Sequence, residues 1–163
     1  MKRRRAPIKS KNDDRPARAE EDGMENGFTY RRRARYHETD QMGVVHHSNY
    51  VKWMEEARIE FMDAMGFGYK RMEQAGIVSP VVGVSVEYKR PVEFDDTVEV
   101  RVKTEGYNGV VMEISYEIIN ATKGVLSAAA RSKHCFLVNG RPVSLKKALP
   151  EGDEALRRMM DGQ

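Results

Sequence analysis

The stretch "HETDQMGVVHHSNYVKWMEEARIEF", residues 37–61, joins two unlike halves. The first dozen residues hold two acids (Glu38, Asp40), three histidines (His37, His46, His47) and Gly43. From Tyr50 the spacing changes. Apolar side chains at Tyr50, Met54, Ala57, Phe61 and Met65 recur at helical intervals, and Val51, Trp53, Ile59 and Met62 widen the stripe. This predicts a long helix over 50–65, buried on more than one side. Ser48 and Asn49 suit its N-cap, and Gly66 suits its C-terminal stop. The densest polar cluster of the chain therefore abuts the start of its most hydrophobic helix.

Around that helix the period is that of strands. "FTYRRRARYHE" alternates loosely and reads as a first strand ending on Tyr36. "GFGYKRMEQAG" (66–76) reads as a loop with one short helical turn. In "VVGVSVEYKRPV", Val82, Val84, Val86 and Tyr88 oppose Gly83, Ser85, Glu87 and Lys89, and Pro91 ends the run. Val98, Val100 and Val102 alternate with Glu99, Arg101 and Lys103, the pattern of an antiparallel sheet with one wet face. Asn108-Gly109 signals a hairpin. The return strand points Met112, Ile114, Tyr116 and Ile118 inward, and "NATKG" turns the chain into a last long strand ending at Asn139-Gly140. One strand, one buried helix and four further strands predict an α+β fold, a curved antiparallel sheet of about five strands around one long central helix.

The chain has 163 residues, the size of a single domain, and a formal net charge of +3. That charge implies no nucleic-acid partner. Residues 1–27 are charged, poor in large apolar side chains and lack an apolar core segment, so they read as a disordered tail and not as a secretory signal. Residues 28–140 form the predicted domain, and 141–163 a polar C-terminal extension with one short helix. Cys135 is the sole cysteine, so no intrachain disulfide can form; a reducing cytoplasm fits, and core filling is its plain role. No run of about 18 apolar residues would span a membrane.

The spacing Tyr36-x-Glu38-Thr39-Asp40-x-x-Gly43-Val44-Val45-x-His47-x-Asn49-Tyr50, followed by "MEEAR" and then "VEYKRPVEFDDTVEVRV", resembles the hotdog-fold acyl-CoA thioesterases. The branch it is most similar to is that of the 4-hydroxybenzoyl-CoA and Tol–Pal-associated thioesterases. The likeness runs over about residues 30–138. It implies a sheet wrapped around a central helix, and a homodimer joined sheet edge to sheet edge, often paired again into a tetramer. Active sites would lie at the subunit interface, with an acyl-CoA substrate and no cofactor or metal.

Thioester hydrolysis requires stabilisation of an oxyanion and an activated water or an acyl-enzyme. The first turn of a helix offers unpaired amides and a partial positive charge, so the Tyr50 backbone amide is a candidate donor. Asp40 stands where the resemblance places the catalytic acid, as general base or nucleophile; its plainer reading is an Asx turn before Gly43. His47 is a candidate to polarise the carbonyl or orient water. His46 stands where many relatives carry an aromatic residue. His37 and His134 read as structural. Gly43, Val44 and Asn49 are candidate substrate contacts, Asn49 doubling as a cap. Lys89 and Arg90 are candidate partners for the phosphates of CoA, with Arg131 and Lys133 behind them. Glu55, Glu56 and Glu60 keep open an acid from the central helix, although Glu56 and Glu60 share a face that reads as wet, with Arg58 nearby. The rival functions are an enoyl-CoA hydratase or dehydratase on the same fold and a non-catalytic acyl-CoA-binding module.

Overall fold

The computed structural model describes residues 27–161. The predicted disordered tail falls outside the described residues, apart from Gly27. The elements run β1 (Phe28–Arg33), a 3-10 turn (Tyr36–Glu38), α1 (Ser48–Ala64), α2 (Tyr69–Gln74), β2 (Ile77–Val78), β3 (Val81–Tyr88), β4 (Thr97–Tyr107), β5 (Val111–Asn120) and β6 (Val125–Cys135). There follow β7 (Leu137–Val138), β8 (Arg141–Pro142), α3 (Leu145–Ala148) and α4 (Pro150–Asp161). Five strands form an antiparallel sheet in the order β1-β4-β5-β6-β3, and β2, β7 and β8 form a second, small one.

α1 packs across β1 and β4 and buries Tyr50, Trp53, Met54, Ala57, Phe61 and Met62. Each large side chain fully removed from water there contributes about 1.5–3 kcal/mol before entropic costs. The helix begins two residues earlier than its apolar stripe and ends at Ala64, with Met65 as its C-cap and Gly66 just beyond at φ +82°, which suits the stop. Three details differ from the sequence reading. Val51 faces outward. The N-cap position belongs to His47, with no side-chain cap, because the Asn49 amide is drawn instead to the Glu38 carbonyl at 2.8 Å. Arg58 is not on a wet face: it is 3% exposed and lies under Tyr69, whose hydroxyl accepts its Nη1 and whose ring lies 5.2 Å from the guanidinium carbon.

The strand readings hold for β4 and β5, whose predicted inward residues are buried. The Asn108-Gly109 turn joins them, with Asn108 Oδ1 accepting the amides of Val110 and Val111 and Gly109 at φ +93°. The first strand stops at Arg33, short of the predicted Tyr36, because the backbone turns there: Ala34 donates to the Asp96 carbonyl and Arg35 N–H to the Glu38 carboxylate. β3 departs most. Of the alternating apolar set, Val82, Val84 and Tyr88 are about half exposed, and only Val86 is partly covered. β3 pairs with β6 alone and forms the sheet edge, so no second neighbour covers it.

The C-terminal segment is more than a polar extension. α4 starts on Pro150, a residue suited to a first helical position, and buries Ala155 and Leu156 alongside Leu145 of α3 and Leu149. Asp153 accepts the Tyr107 hydroxyl at 2.6 Å and Arg157 Nε at 2.8 Å, clamping α4 to β4. Burial opposes the charge on Asp153, but those bonds outweigh it and hold the carboxyl below its usual range. A Cβ on Gly152 would meet the Phe67 ring at 3.2 Å, so glycine permits close approach here.

Candidate functional site

Asp40 opens a tight hairpin. Its Oδ1 accepts the Met42 amide at 2.8 Å, its N–H donates to the Val44 carbonyl at 2.9 Å, and its carbonyl accepts the Gly43 amide at 3.0 Å. The Asx turn is therefore present, and it occupies one carboxylate oxygen only. Gly43 sits at φ +76°, a conformation that strains any residue with a Cβ. Thr39 and Val45 bridge across the hairpin base, Val44 bridges to Glu93, and Val45 N–H reaches the Val92 carbonyl at 2.7 Å. Asp40 thus sits, half-buried, on a loop stitched down on two sides.

The hairpin leads straight into His46 and His47. Their rings lie 4.1 Å apart, and His46 Nδ1 is hydrogen-bonded to Ser48 Oγ at 2.8 Å. That tether leaves the exposed His47 imidazole as the free ring of the pair. The hairpin that carries Asp40 leads into His47 at the start of α1, but Asp40 and His47 form no hydrogen bond or ion pair with each other. The Tyr50 amide donates to the His47 carbonyl at 3.3 Å, a long hydrogen bond, and Asn49 N–H donates to the His46 carbonyl at 3.0 Å. The Tyr50 ring is buried against Trp53 and edge-on to Tyr88.

Tyr88, which closes the alternating strand β3, is part of this end of the molecule. Its hydroxyl donates to the His47 carbonyl at 2.9 Å, and its ring stands edge-on to His47. Because Tyr88 closes β3, it brings Lys89 and Arg90 with it. Both are exposed; Lys89 Nζ pairs with Glu87 at 2.9 Å, and the two backbone amides hold the Ser127 carbonyl. Arg131 and Lys133 alternate along β6 with the buried Ser132 and His134. They therefore lie on the sheet face away from α1, and Lys133 pairs with Glu113 at 2.9 Å.

The helix acids are placed unequally. Glu55 and Glu60 are exposed, whereas Glu56 accepts the Tyr30 hydroxyl at 2.9 Å and the Arg32 guanidinium. Burial and Glu56 push the Tyr30 hydroxyl up to about 12. His134 is fully buried and bonded through Nε2 to Ser132 Oγ at 2.7 Å, which in turn meets the Tyr116 hydroxyl at 2.8 Å. His37 is exposed and Cys135 half-buried. Among the described residues no cluster of three or more metal-binding side chains occurs, and no helix is long and apolar enough to cross a membrane.

Comparison with known proteins identifies the family and the fold. The Thioesterase-like superfamily matches residues 34–155. The chain is 39% identical over 126 residues to YneP of Bacillus subtilis, covering 76% of this chain and 91% of that one. It is 29% identical over 125 residues to the acyl-CoA thioester hydrolase YbgC of Escherichia coli, covering 76% and 90%. Among solved structures, a DHNA-CoA thioesterase from Staphylococcus aureus superposes with a TM-score of 0.78 at 33% identity, over 82% of this chain and 90% of that one. With a five-stranded antiparallel sheet packed on one long helix and a family match across most of its length, the chain belongs to the thioesterase-like superfamily and has the hotdog fold.

Proposed function

We propose that this protein hydrolyses an acyl-CoA thioester to the free acid and CoA, with its chemistry at the N-terminal end of α1. What supports the reading is that the Asp40 hairpin runs directly into His47 at the start of α1, where the Tyr88 hydroxyl ties the end of β3, followed by Lys89 and Arg90, to the His47 carbonyl. Similarity to the named thioester hydrolases supports the reaction class.

In this reading the carboxylate oxygen of Asp40 not used by the turn removes a proton from water or attacks the thioester carbonyl itself. His47 faces the oxygen that becomes negative. The Tyr50 amide contributes as a shared donor, its bond to the His47 carbonyl being long enough to bifurcate. Gly43, Val44 and Asn49 shape the approach of the acyl group, and Lys89 and Arg90 attract the phosphates of CoA. The thiolate leaves without strong acid help.

The β3 edge, with Val81, Val82 and Val84 half exposed, is a long apolar edge of the kind that proteins cover. We assign it to a second copy of the chain, which makes a homodimer the smallest functional unit and gives each α1 start a neighbour across the interface. Further pairing into a tetramer would use other faces. A cytoplasmic setting fits a chain whose only cysteine has no disulfide partner within it.

The test is thiol release from acyl-CoAs varied in chain length and aromaticity, by wild type, Asp40→Asn and Asp40→Ala. Asparagine keeps the Oδ1 that accepts the Met42 amide, so it should retain stability while turnover falls at least about 100-fold. Alanine also loses the turn bond, about 1 kcal/mol. Near-normal turnover by Asp40→Asn would overturn the assignment, and hydration of an enoyl-CoA without thiol release would replace the reaction class.

A further inference from the structure

Glu38 is buried, 6% exposed, and lies outside the proposed chemistry, yet it accepts five hydrogen bonds. Its Oε1 accepts the Trp53 indole N–H at 2.9 Å and the Arg32 guanidinium; its Oε2 accepts the Arg35 amide at 2.7 Å. Its carbonyl accepts the His46 amide at 2.8 Å and the Asn49 side-chain amide at 2.8 Å. The donors come from β1, the bend after it, the residue preceding His47, and the first and second turns of α1. The Asp40 hairpin runs from Thr39 to Val45, so Glu38 and His46 are its two ends, and one bond joins them. Arg32 stacks 4.9 Å from the Trp53 ring centre and also pairs with Glu56, closing the arrangement from the β1 side.

We propose that Glu38 is a positioning residue for thioester hydrolysis, holding the Asp40 hairpin against the start of α1 through Arg32, Arg35 and Trp53. This rests on the function proposed above. A carboxylate offers two acceptor oxygens to the three N–H donors. Glutamine offers one, and turns an NH2 group toward Arg32 or Arg35, two donors facing each other. The backbone bonds to His46 and Asn49 survive that change, so the chain still folds while the hairpin loses its anchor to β1 and Trp53. A reacting group misplaced by about 1 Å can cost 100-fold in rate.

The experiment measures thiol release by the wild-type chain, Glu38→Gln, Asp40→Asn and the Glu38→Gln/Asp40→Asn double variant, with far-UV circular dichroism and thermal unfolding of each. The inference expects Glu38→Gln to be folded at the assay temperature, with kcat down at least tenfold and KM within about threefold. It also expects the double variant to be no slower than Asp40→Asn alone, because a residue that acts through Asp40 has nothing left to position. Losses that multiply in the double variant, or wild-type kcat in Glu38→Gln, overturn it. If Glu38→Gln does not fold, Trp53→Phe decides: it removes one donor to Glu38 and keeps the apolar body, and kcat should fall several-fold at constant KM, again with no further effect on Asp40→Asn. An unchanged kcat in Trp53→Phe then overturns the inference. A wild-type chain inactive on every acyl-CoA removes the function and the inference together, whereas an active wild type with an equally active Glu38→Gln removes the inference alone.

Discussion

His134 makes the acid sensitivity of this fold predictable. The imidazole is fully buried, and burial first, then the charge of Arg58, push it down to about 4 from an ordinary 6.5. It is therefore neutral in the folded protein through mildly acidic pH, while the unfolded chain takes up a proton below 6.5. Between those two values the unfolded state binds more protons, so stability rises with pH and falls as the medium is acidified. At about 1.4 kcal/mol per pH unit, the gap between about 4 and 6.5 corresponds to ~3 kcal/mol lost across that window. The perturbation is His134→Gln, which keeps a polar partner for Ser132 and removes the titration. Urea unfolding of both proteins at intervals from pH 7.5 to 4.5 gives the two stability curves. The wild type should lose about 2–3 kcal/mol more than the variant over this range, with the difference flat above pH 7. Parallel curves would refute the reasoning, because they would mean that His134 titrates alike in both states and that burial and Arg58 do not hold it neutral.

Asp153→Asn should loosen α4 from β4: bonds to a charged carboxylate contribute about 1.5–3 kcal/mol each, and asparagine can replace one of the two, so unfolding should come ~2 kcal/mol earlier in urea with kcat unchanged. Since the folded carboxyl is held below its ordinary 3.8, the wild-type advantage should be full above pH 4 and fade as pH falls further, which unfolding at pH 3 checks. Val84→Glu places a charge on the β3 edge; light scattering should show the wild type as at least a dimer and the variant shifted to monomer with lost activity, and a monomeric, active wild type would refute the interface.

How much of the site was legible in the sequence follows from how local each feature is. Asp40, Gly43, His47 and Asn49 stand close along the chain, so their spacing could mark them. Lys89 and Arg90 were candidates for the phosphates of CoA from the sequence, but the bond from Tyr88 beside them to the His47 carbonyl could not be read, because it needs β3 to cross to the far edge of the sheet and return its end to the start of α1. Glu38 and Trp53 were visible as an acid in a motif and an apolar helix residue; that they bond to each other is a long-range fact.

The same division runs through the fold. The α1 stripe, the alternation in β4 and β5, and the Asn108-Gly109 turn are determined by the sequence itself, since helical period, strand period and turn chemistry act between near neighbours. Only the tertiary structure decided which alternating strand would be an edge. The valines of β3 carry the same pattern as those of β4, yet β3 has one neighbour and β4 has two. It also decided that Arg58 would be buried against Tyr69 and that a charged C-terminal segment would dock through Asp153. Burial depends on what arrives from elsewhere in the chain, and no local period records that.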